Sequence, residues 1–164
     1  MLKMAYFHAY WALFCIKIAL VTDPAAGSGN FLTESYLCLR RLENEVIDLL
    51  QGGQISMGIA MDPIKVSIGQ FYGIEINDFA ATVAKTALWI AESQMMKRTE
   101  DIVHMSLDFL PLKSYVNIVE ANALRIDWND VIPREKLDYI MGIIRSRYYG
   151  IHNVHSEAPI LLSA

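Results

Sequence analysis

The chain has 164 residues, of which 54% are hydrophobic and 20% are charged, and its formal net charge is −4. This composition predicts one globular domain and excludes a disordered chain. Because it has no lysine- or arginine-rich run, we do not expect the chain to bind nucleic acid on its own. Cys15 and Cys38 form neither a CxxC pair nor a disulfide framework, which predicts buried thiols in a reducing compartment.

The N-terminal stretch from Met4 to Val21 is apolar, but it contains His8 and Lys17 and has no small-residue cleavage site. It runs directly into a turn that contains glycine. We therefore expect a helix and then a buried strand, Ile16 to Val21, rather than a membrane span or a signal peptide. The protein is predicted to be soluble and cytoplasmic, with no membrane partner.

An amphipathic helix is predicted to begin near Phe31. Apolar residues recur at helical spacing in this segment, namely Leu32, Tyr36, Leu39, Leu42, Val46 and Leu50. Charged residues are expected on the opposite, solvent-facing side, namely Arg40, Arg41, Glu43, Glu45 and Asp48. The run Gln51-Gly52-Gly53 is expected to end the helix.

The second half of the chain repeats the order of strand and helix. Strands are predicted at Phe71 to Ile76, Tyr115 to Glu120 and Leu137 to Met141. Asn77 or Asp78 is expected to cap a helix from Phe79 to Met96, and a further short helix is expected from Thr99 to Phe109. This alternation predicts an α/β fold with a parallel sheet of about four strands and flanking helices. Residues 143–164 show no clear periodicity and little sign of a partner strand.

The turn between the first strand and the first helix reads Asp23-Pro24-Ala25-Ala26-Gly27-Ser28-Gly29-Asn30-Phe31-Leu32. A phosphate-binding Walker loop needs Lys-Ser/Thr where this chain has Asn30-Phe31, and a dinucleotide-binding loop needs a third glycine where it has Leu32. What remains is an acidic residue followed by Gly-x-Gly, which suits an uncharged nucleoside with an ammonium group nearby.

Glu75, at the end of the second strand, is well placed to accept hydrogen bonds from both ribose hydroxyls. A carboxylate suits a diol and repels a phosphate, so S-adenosylmethionine fits better than a phosphorylated cofactor. An alternative stays open: the two glycines only form a turn, and Glu75 is a solvated acid at a helix cap.

These residues resemble the adenine-specific DNA methyltransferases of restriction-modification systems, including the large type II enzymes that fuse methylation with cleavage. The turn is similar to that family's cofactor motif, with Ala26 where the family usually has cysteine. Phe71-Tyr72-Gly73-Ile74-Glu75-Ile76-Asn77 is similar to the second cofactor motif. The resemblance covers residues 18–142, and it implies a Rossmann-like class I methyltransferase fold, of which this chain is expected to hold a partial sheet.

The resemblance also implies a set of cofactor-binding residues: Asp23, Ala25, Gly27, Gly29, Asn30, Phe31, Glu75, Ile76, Asn122 and Leu124. Asp23 and the two glycines would contact the methionine end of S-adenosylmethionine, Glu75 the ribose, and Ile76 the adenine. Asn122 would read the adenine amino edge, with Leu124 packed nearby. Ile76 and Leu124 are equally well explained as core residues, and a plain turn residue is the alternative for Asn122. No metal ligands are predicted.

The match breaks after Gly142. In this family the fourth strand runs into Asn/Asp-Pro-Pro-Tyr/Phe, whose polar atoms accept hydrogen bonds from the target amino group while the aromatic ring stacks on the flipped base. This chain instead has Ile143-Ile144-Arg145-Ser146-Arg147-Tyr148-Tyr149. No catalytic residue is therefore predicted.

We expect a partial methyltransferase domain at residues 1–142 and a divergent tail at residues 143–164. The nominal function is adenine-N6 DNA methylation, in a truncated form with weak or no activity. DNA would be contacted through regions that this chain lacks, with a complementing methyltransferase or specificity polypeptide as a possible partner. The alternatives are a non-catalytic module that binds S-adenosylmethionine and a non-functional remnant.

Overall fold

The computed structural model describes residues 20–51, 64–107 and 117–142, and the backbone of residues 162–163. Four parallel strands form the sheet: β1 (Val21–Asp23), β2 (Phe71–Glu75), β3 (Asn117–Glu120) and β4 (Tyr139–Ile140), in the order β3-β2-β1-β4. This confirms the predicted α/β fold with a parallel sheet. The predictions for residues 4–19, 108–116 and 143–161 lie outside the described residues.

A fifth strand, β5 (Leu162–Ser163), pairs antiparallel with β4 at the edge of the sheet. The last stretch therefore contributes a partner strand, although its sequence showed little sign of one. Two residues are too short to show the alternation by which a strand is recognised in a sequence.

Two helices cover one face of the sheet, α1 (Asn30–Gln51) and α2 (Asp78–Val103). The strands β1, β2 and β3 lie side by side in the sheet in the same order as in the chain. Right-handed crossovers between them therefore place both helices on the same side of the sheet. The core forms between them and the sheet, where Tyr36 meets Phe71 edge to face with ring centroids 5.7 Å apart. Short 3-10 turns lie at Ile68–Gln70, Trp128–Asp130 and Arg134–Lys136.

The sequence predicted the start of helix α2 but not its end. Its N-cap is Asn77, one of the two predicted candidates, whose Oδ1 accepts the Ala80 N–H at 2.9 Å. The prediction of a separate short helix from Thr99 was wrong, because α2 continues without a break to Val103. The helix ends where His104 adopts a left-handed conformation, with φ of 53°. The buried Thr99 hydroxyl lies 3.0 Å from the Met95 carbonyl, inside one continuous helix.

A buried polar cluster joins the two helices to the segment that leads into β2. Arg40 forms an ion pair with Glu43 and donates through Nη2 to the Thr99 hydroxyl at 2.6 Å. The hydroxyl lies 2.8 Å from Asn44 Oδ1, and Glu43 Oε1 accepts the Val66 N–H at 3.1 Å. The expectation that Arg40 and Glu43 face solvent was wrong, since both are fully buried. Each compensates the charge of the other, which makes their burial tolerable.

Cys38 is an exposed free thiol, which corrects the prediction that it is buried. Cys15 lies outside the described residues.

Candidate cofactor site

The turn that follows β1 passes directly from strand to helix. Asp23 is the last residue of β1, and Asn30 is the first residue of α1. Gly27 and Gly29 have φ of 55° and 80°, a backbone conformation that other residues adopt at a cost. The Gly29 N–H donates to the Ala26 carbonyl at 2.8 Å, and the Gly29 carbonyl accepts the Thr33 N–H at 2.8 Å. The backbone is thus folded tightly at the carboxyl edge of the sheet.

The two glycines of this turn are needed for different reasons. A Cβ on Gly29 would lie 2.8 Å from the Ala84 Cβ and 3.0 Å from the Ala84 Cα, so the turn packs on α2 with no space for a methyl group. A Cβ on Gly27 would meet nothing within 4 Å. Gly27 therefore keeps an open side, and Gly29 fixes the turn against the second helix.

This difference predicts unequal effects of two matched substitutions. Gly29→Ala should lower the free energy of unfolding by about 2–4 kcal/mol, through backbone strain and overpacking against Ala84. Gly27→Ala introduces backbone strain without overpacking and should lower the free energy of unfolding by about 1 kcal/mol. Urea denaturation followed by circular dichroism measures both. Equal losses in the two variants would contradict the close approach of Gly29 to α2.

Glu75 links the turn to the start of α2. Its Oε2 accepts the Gly27 N–H at 2.7 Å, and its Oε1 accepts the Asn77 N–H at 2.9 Å. The carboxylate thus holds two loops together, and a contact with ribose stays a prediction. Each carboxylate oxygen has a second lone pair, so the group can still accept hydrogen bonds from a diol.

Asp23 carries an unsatisfied buried oxygen beside the turn. Its Oδ1 accepts the Ala25 N–H at 2.9 Å, whereas its Oδ2 is buried and has no hydrogen-bond partner in the part of the chain that the structure describes. Burial raises the pKa of the Asp23 carboxyl, the Ala25 N–H lowers it, and the negative charge of Glu75 raises it. A cation beside Oδ2 would satisfy this oxygen. Since Oδ2 is closed off from solvent here, we expect a local opening before any ligand reaches it.

The raised pKa predicts a pH-dependent difference between the native chain and an Asp23→Asn variant. The folded state holds the Asp23 proton more tightly than the unfolded chain, so this contribution to stability is present at acid pH and is lost as the pH rises above the ordinary value of 3.8. The variant should therefore gain stability relative to the native chain between acid and neutral pH. Urea denaturation at a series of pH values measures the difference, and a pH-independent difference would contradict the burial of a titrating carboxyl.

Three predicted apolar contacts lie exposed near the carboxyl ends of the strands. Phe31, Ile76 and Leu124 are 46%, 68% and 83% exposed, which excludes the alternative that Ile76 and Leu124 are core residues. Phe79, in the first turn of α2, is 74% exposed and was not singled out from the sequence. These surfaces are available to a flat apolar ligand such as a purine ring.

Asn122 lies in a turn that is tied to the end of β2. The Ala121 N–H donates to the Glu75 carbonyl at 2.9 Å, and Asn122 Oδ1 accepts the Leu124 N–H at 2.9 Å. The side chain therefore stabilises its own turn, as the simpler alternative held, and a contact with adenine stays a prediction. Asn30 lies at the other side of the site, exposed, with its Oδ1 3.3 Å from the Ser28 hydroxyl.

The segments that form the site carry acidic residues and no basic ones. Segments 23–31, 75–79 and 120–124 contain Asp23, Glu75, Asp78 and Glu120 and no lysine or arginine. Such a surface favours a cation over a phosphate.

Within residues 20–51, 64–107 and 117–142 no group of three or more His, Cys, Asp or Glu side chains is arranged to hold a metal ion. No helix in these same ranges is both long and apolar enough to cross a membrane.

A parallel sheet in the order β3-β2-β1-β4, with a glycine turn after β1 and an acid at the end of β2, defines a Rossmann-like fold. The comparison with known families agrees. A family model described as the MmeI DNA-methyltransferase domain matches residues 14–157. The chain therefore belongs to this family of restriction-modification DNA methyltransferases.

Individual relatives support the same family. The chain is 44% identical over 136 residues to DNA methyltransferase A of Bacillus subtilis strain 168, which is 82% of this chain and 15% of that protein. It is 32% identical over 71 residues to a putative type II restriction enzyme and methyltransferase of Methanocaldococcus jannaschii, which is 43% of this chain and 6% of that protein.

Among solved structures, the type IIL restriction-modification enzyme MmeI in complex with DNA matches 84% of this chain and 19% of its own, with 38% identity and a TM-score of 0.73. The chain thus spans less than a fifth of the length of each of these three relatives.

Proposed function

We propose that this chain binds S-adenosylmethionine at the carboxyl edge of its sheet, as the donor-binding part of an adenine-N6 DNA methyltransferase. The observation that carries the proposal is the pair of carboxylates on neighbouring strands: Glu75 beside the open Gly27, and Asp23 with its unsatisfied Oδ2. The first suits the ribose diol and the second suits the ammonium group of the amino-acid end.

The other residues of the site fit the same ligand. The exposed Ile76 and Leu124 offer apolar surface to adenine, and the absence of basic residues from the three site segments disfavours a nucleotide phosphate. When bound, S-adenosylmethionine would supply an electrophilic methyl group. The role of this chain's residues is to hold and orient it, and we propose direct transfer to the amine without a covalent enzyme intermediate.

We further propose that the chain transfers no methyl group by itself. The sequence after Gly142 has Ile143 and Ile144 where the family has a polar acceptor and a proline, so this position lacks the side chain that would accept a hydrogen bond from a target amino group. DNA is the proposed substrate of a complete assembly, with the missing motif and the DNA contacts supplied by a complementing polypeptide. Residues 1–142 would be the donor-binding domain and residues 143–164 a divergent tail.

Incubation with tritiated S-adenosylmethionine and unmethylated duplex DNA tests the chemistry. We expect no label in DNA with the chain alone, and label in adenine when a polypeptide that contains an Asn-Pro-Pro-aromatic motif and a DNA-recognition region is added. Label in DNA with the chain alone would show that the native chain is catalytic. Label in cytosine, or none with the added polypeptide, would contradict the proposed adenine-N6 lineage or the proposed complementation, respectively.

A further inference from the structure

Gly142, the second residue after β4, lies directly against the Asp23 carboxylate. A Cβ at Gly142 would collide with Asp23 Oδ1 and would lie 2.9 Å from Cγ, closer than real Cβ atoms approach. Its φ is 136°, which also favours glycine. The backbone therefore passes over the carboxylate at a distance that only glycine allows.

The backbone at this point is held more firmly than the Asp23 side chain. The Met141 N–H donates to the Thr22 carbonyl at 2.8 Å, and β4 pairs with β1 up to Ile140. Among the described residues, only the Ala25 N–H donates a hydrogen bond to the Asp23 carboxylate. A side chain at position 142 would consequently rotate the carboxylate out of its place before it moved the strand.

We propose that Gly142 is a positioning residue for the amino-acid end of the donor. It leaves room beside the Asp23 carboxylate and so keeps the carboxylate in the place where Oδ2, after the local opening, would meet an ammonium group. This inference rests on the proposed binding of S-adenosylmethionine. It also connects that end of the site to the chain after β4, where the family has its catalytic motif.

Two thioether ligands separate this role from general damage to the fold. S-adenosylhomocysteine and methylthioadenosine share the nucleoside and sulfur, and only the first has the amino-acid end. In Gly142→Ala we expect the affinity for S-adenosylhomocysteine, measured by calorimetry, to fall by about tenfold to a hundredfold, the size of one lost hydrogen bond between charged groups. The affinity for methylthioadenosine should be unchanged. Thr86→Ala, on the exposed side of α2, is the control and should change neither.

A double-variant cycle tests the route through Asp23. In an Asp23→Ala background the colliding carboxylate is gone, so the further change Gly142→Ala should leave the affinities for both ligands as they are in Asp23→Ala alone. This comparison stays available if the single Gly142→Ala variant does not fold.

The outcomes are distinct. If the native chain binds neither ligand, the proposed function fails, and this inference fails with it. If the native chain prefers S-adenosylhomocysteine and Gly142→Ala keeps that preference or loses both ligands equally, only the role of Gly142 is wrong. A further drop in affinity for S-adenosylhomocysteine in the double variant would likewise show that Gly142 does not act through Asp23.

Discussion

Replacing Glu75 with alanine is expected to weaken the binding of S-adenosylmethionine by at least about a hundredfold, because two hydrogen bonds from the ribose to a charged acceptor are lost together. The variant also frees the N–H groups of Gly27 and Asn77, which Glu75 accepts at 2.7 Å and 2.9 Å, and so loosens the turn that surrounds the ligand. Isothermal titration calorimetry with the native chain and the variant measures this loss.

Glu120→Ala provides a matched control for charge. Glu120 ends β3 directly beside Glu75 in the sheet register, and it is exposed. Removing it takes the same negative charge from the same edge of the sheet without changing a contact of the glycine turn. The affinity for S-adenosylmethionine should therefore stay within about threefold of the native value, the effect of a screened surface charge. If both variants lose affinity equally, Glu75 acts only through the general charge of the edge and does not bind the ribose.

Removing the Glu43 carboxylate should have the largest effect on stability. Glu43→Ala leaves the Arg40 guanidinium buried without its counter-charge and the buried Val66 N–H without its acceptor. We expect the free energy of unfolding to fall by about 3–5 kcal/mol, the usual result of breaking a buried ion pair. Urea denaturation followed by circular dichroism measures this change.

Glu45→Ala on the same helix is the control, because Glu45 is exposed and its loss should change stability by less than about 0.5 kcal/mol. The double variant Arg40→Met with Glu43→Leu should recover part of the loss, since it removes both charges of the ion pair at once. Recovery would be incomplete because the Val66 N–H still lacks its acceptor. A Glu43→Ala variant as stable as the Glu45→Ala control would contradict the buried cluster.

The sequence predicted the parts of the site that depend on local chain geometry. Asp23 and Glu75 follow apolar runs, and the carboxyl ends of neighbouring parallel strands meet at one edge, so their proximity follows from the pattern. The N-cap at Asn77 and the glycine turn have local signatures of the same kind.

Features that depend on contacts between distant segments were missed or misjudged. By their spacing in the helix, Arg40 and Glu43 look like surface residues. Their burial is tolerable because they pair with each other and bond to Thr99 and Val66, which are distant in the chain. The contact between Gly142 and Asp23 likewise exists only because β4 pairs with β1. The exposure of Phe79 could have been suspected from its place in the first turn of α2, beside the end of β2.

Calorimetric titration of the native chain with S-adenosylmethionine, and separately with ATP and NAD, tests the central claim most directly. The arrangement of Asp23, Gly27 and Glu75 predicts binding of one S-adenosylmethionine per chain and no measurable heat with either phosphorylated ligand. No heat with S-adenosylmethionine, or tighter binding of ATP or NAD, would contradict the assignment of this edge of the sheet as a methyl-donor site.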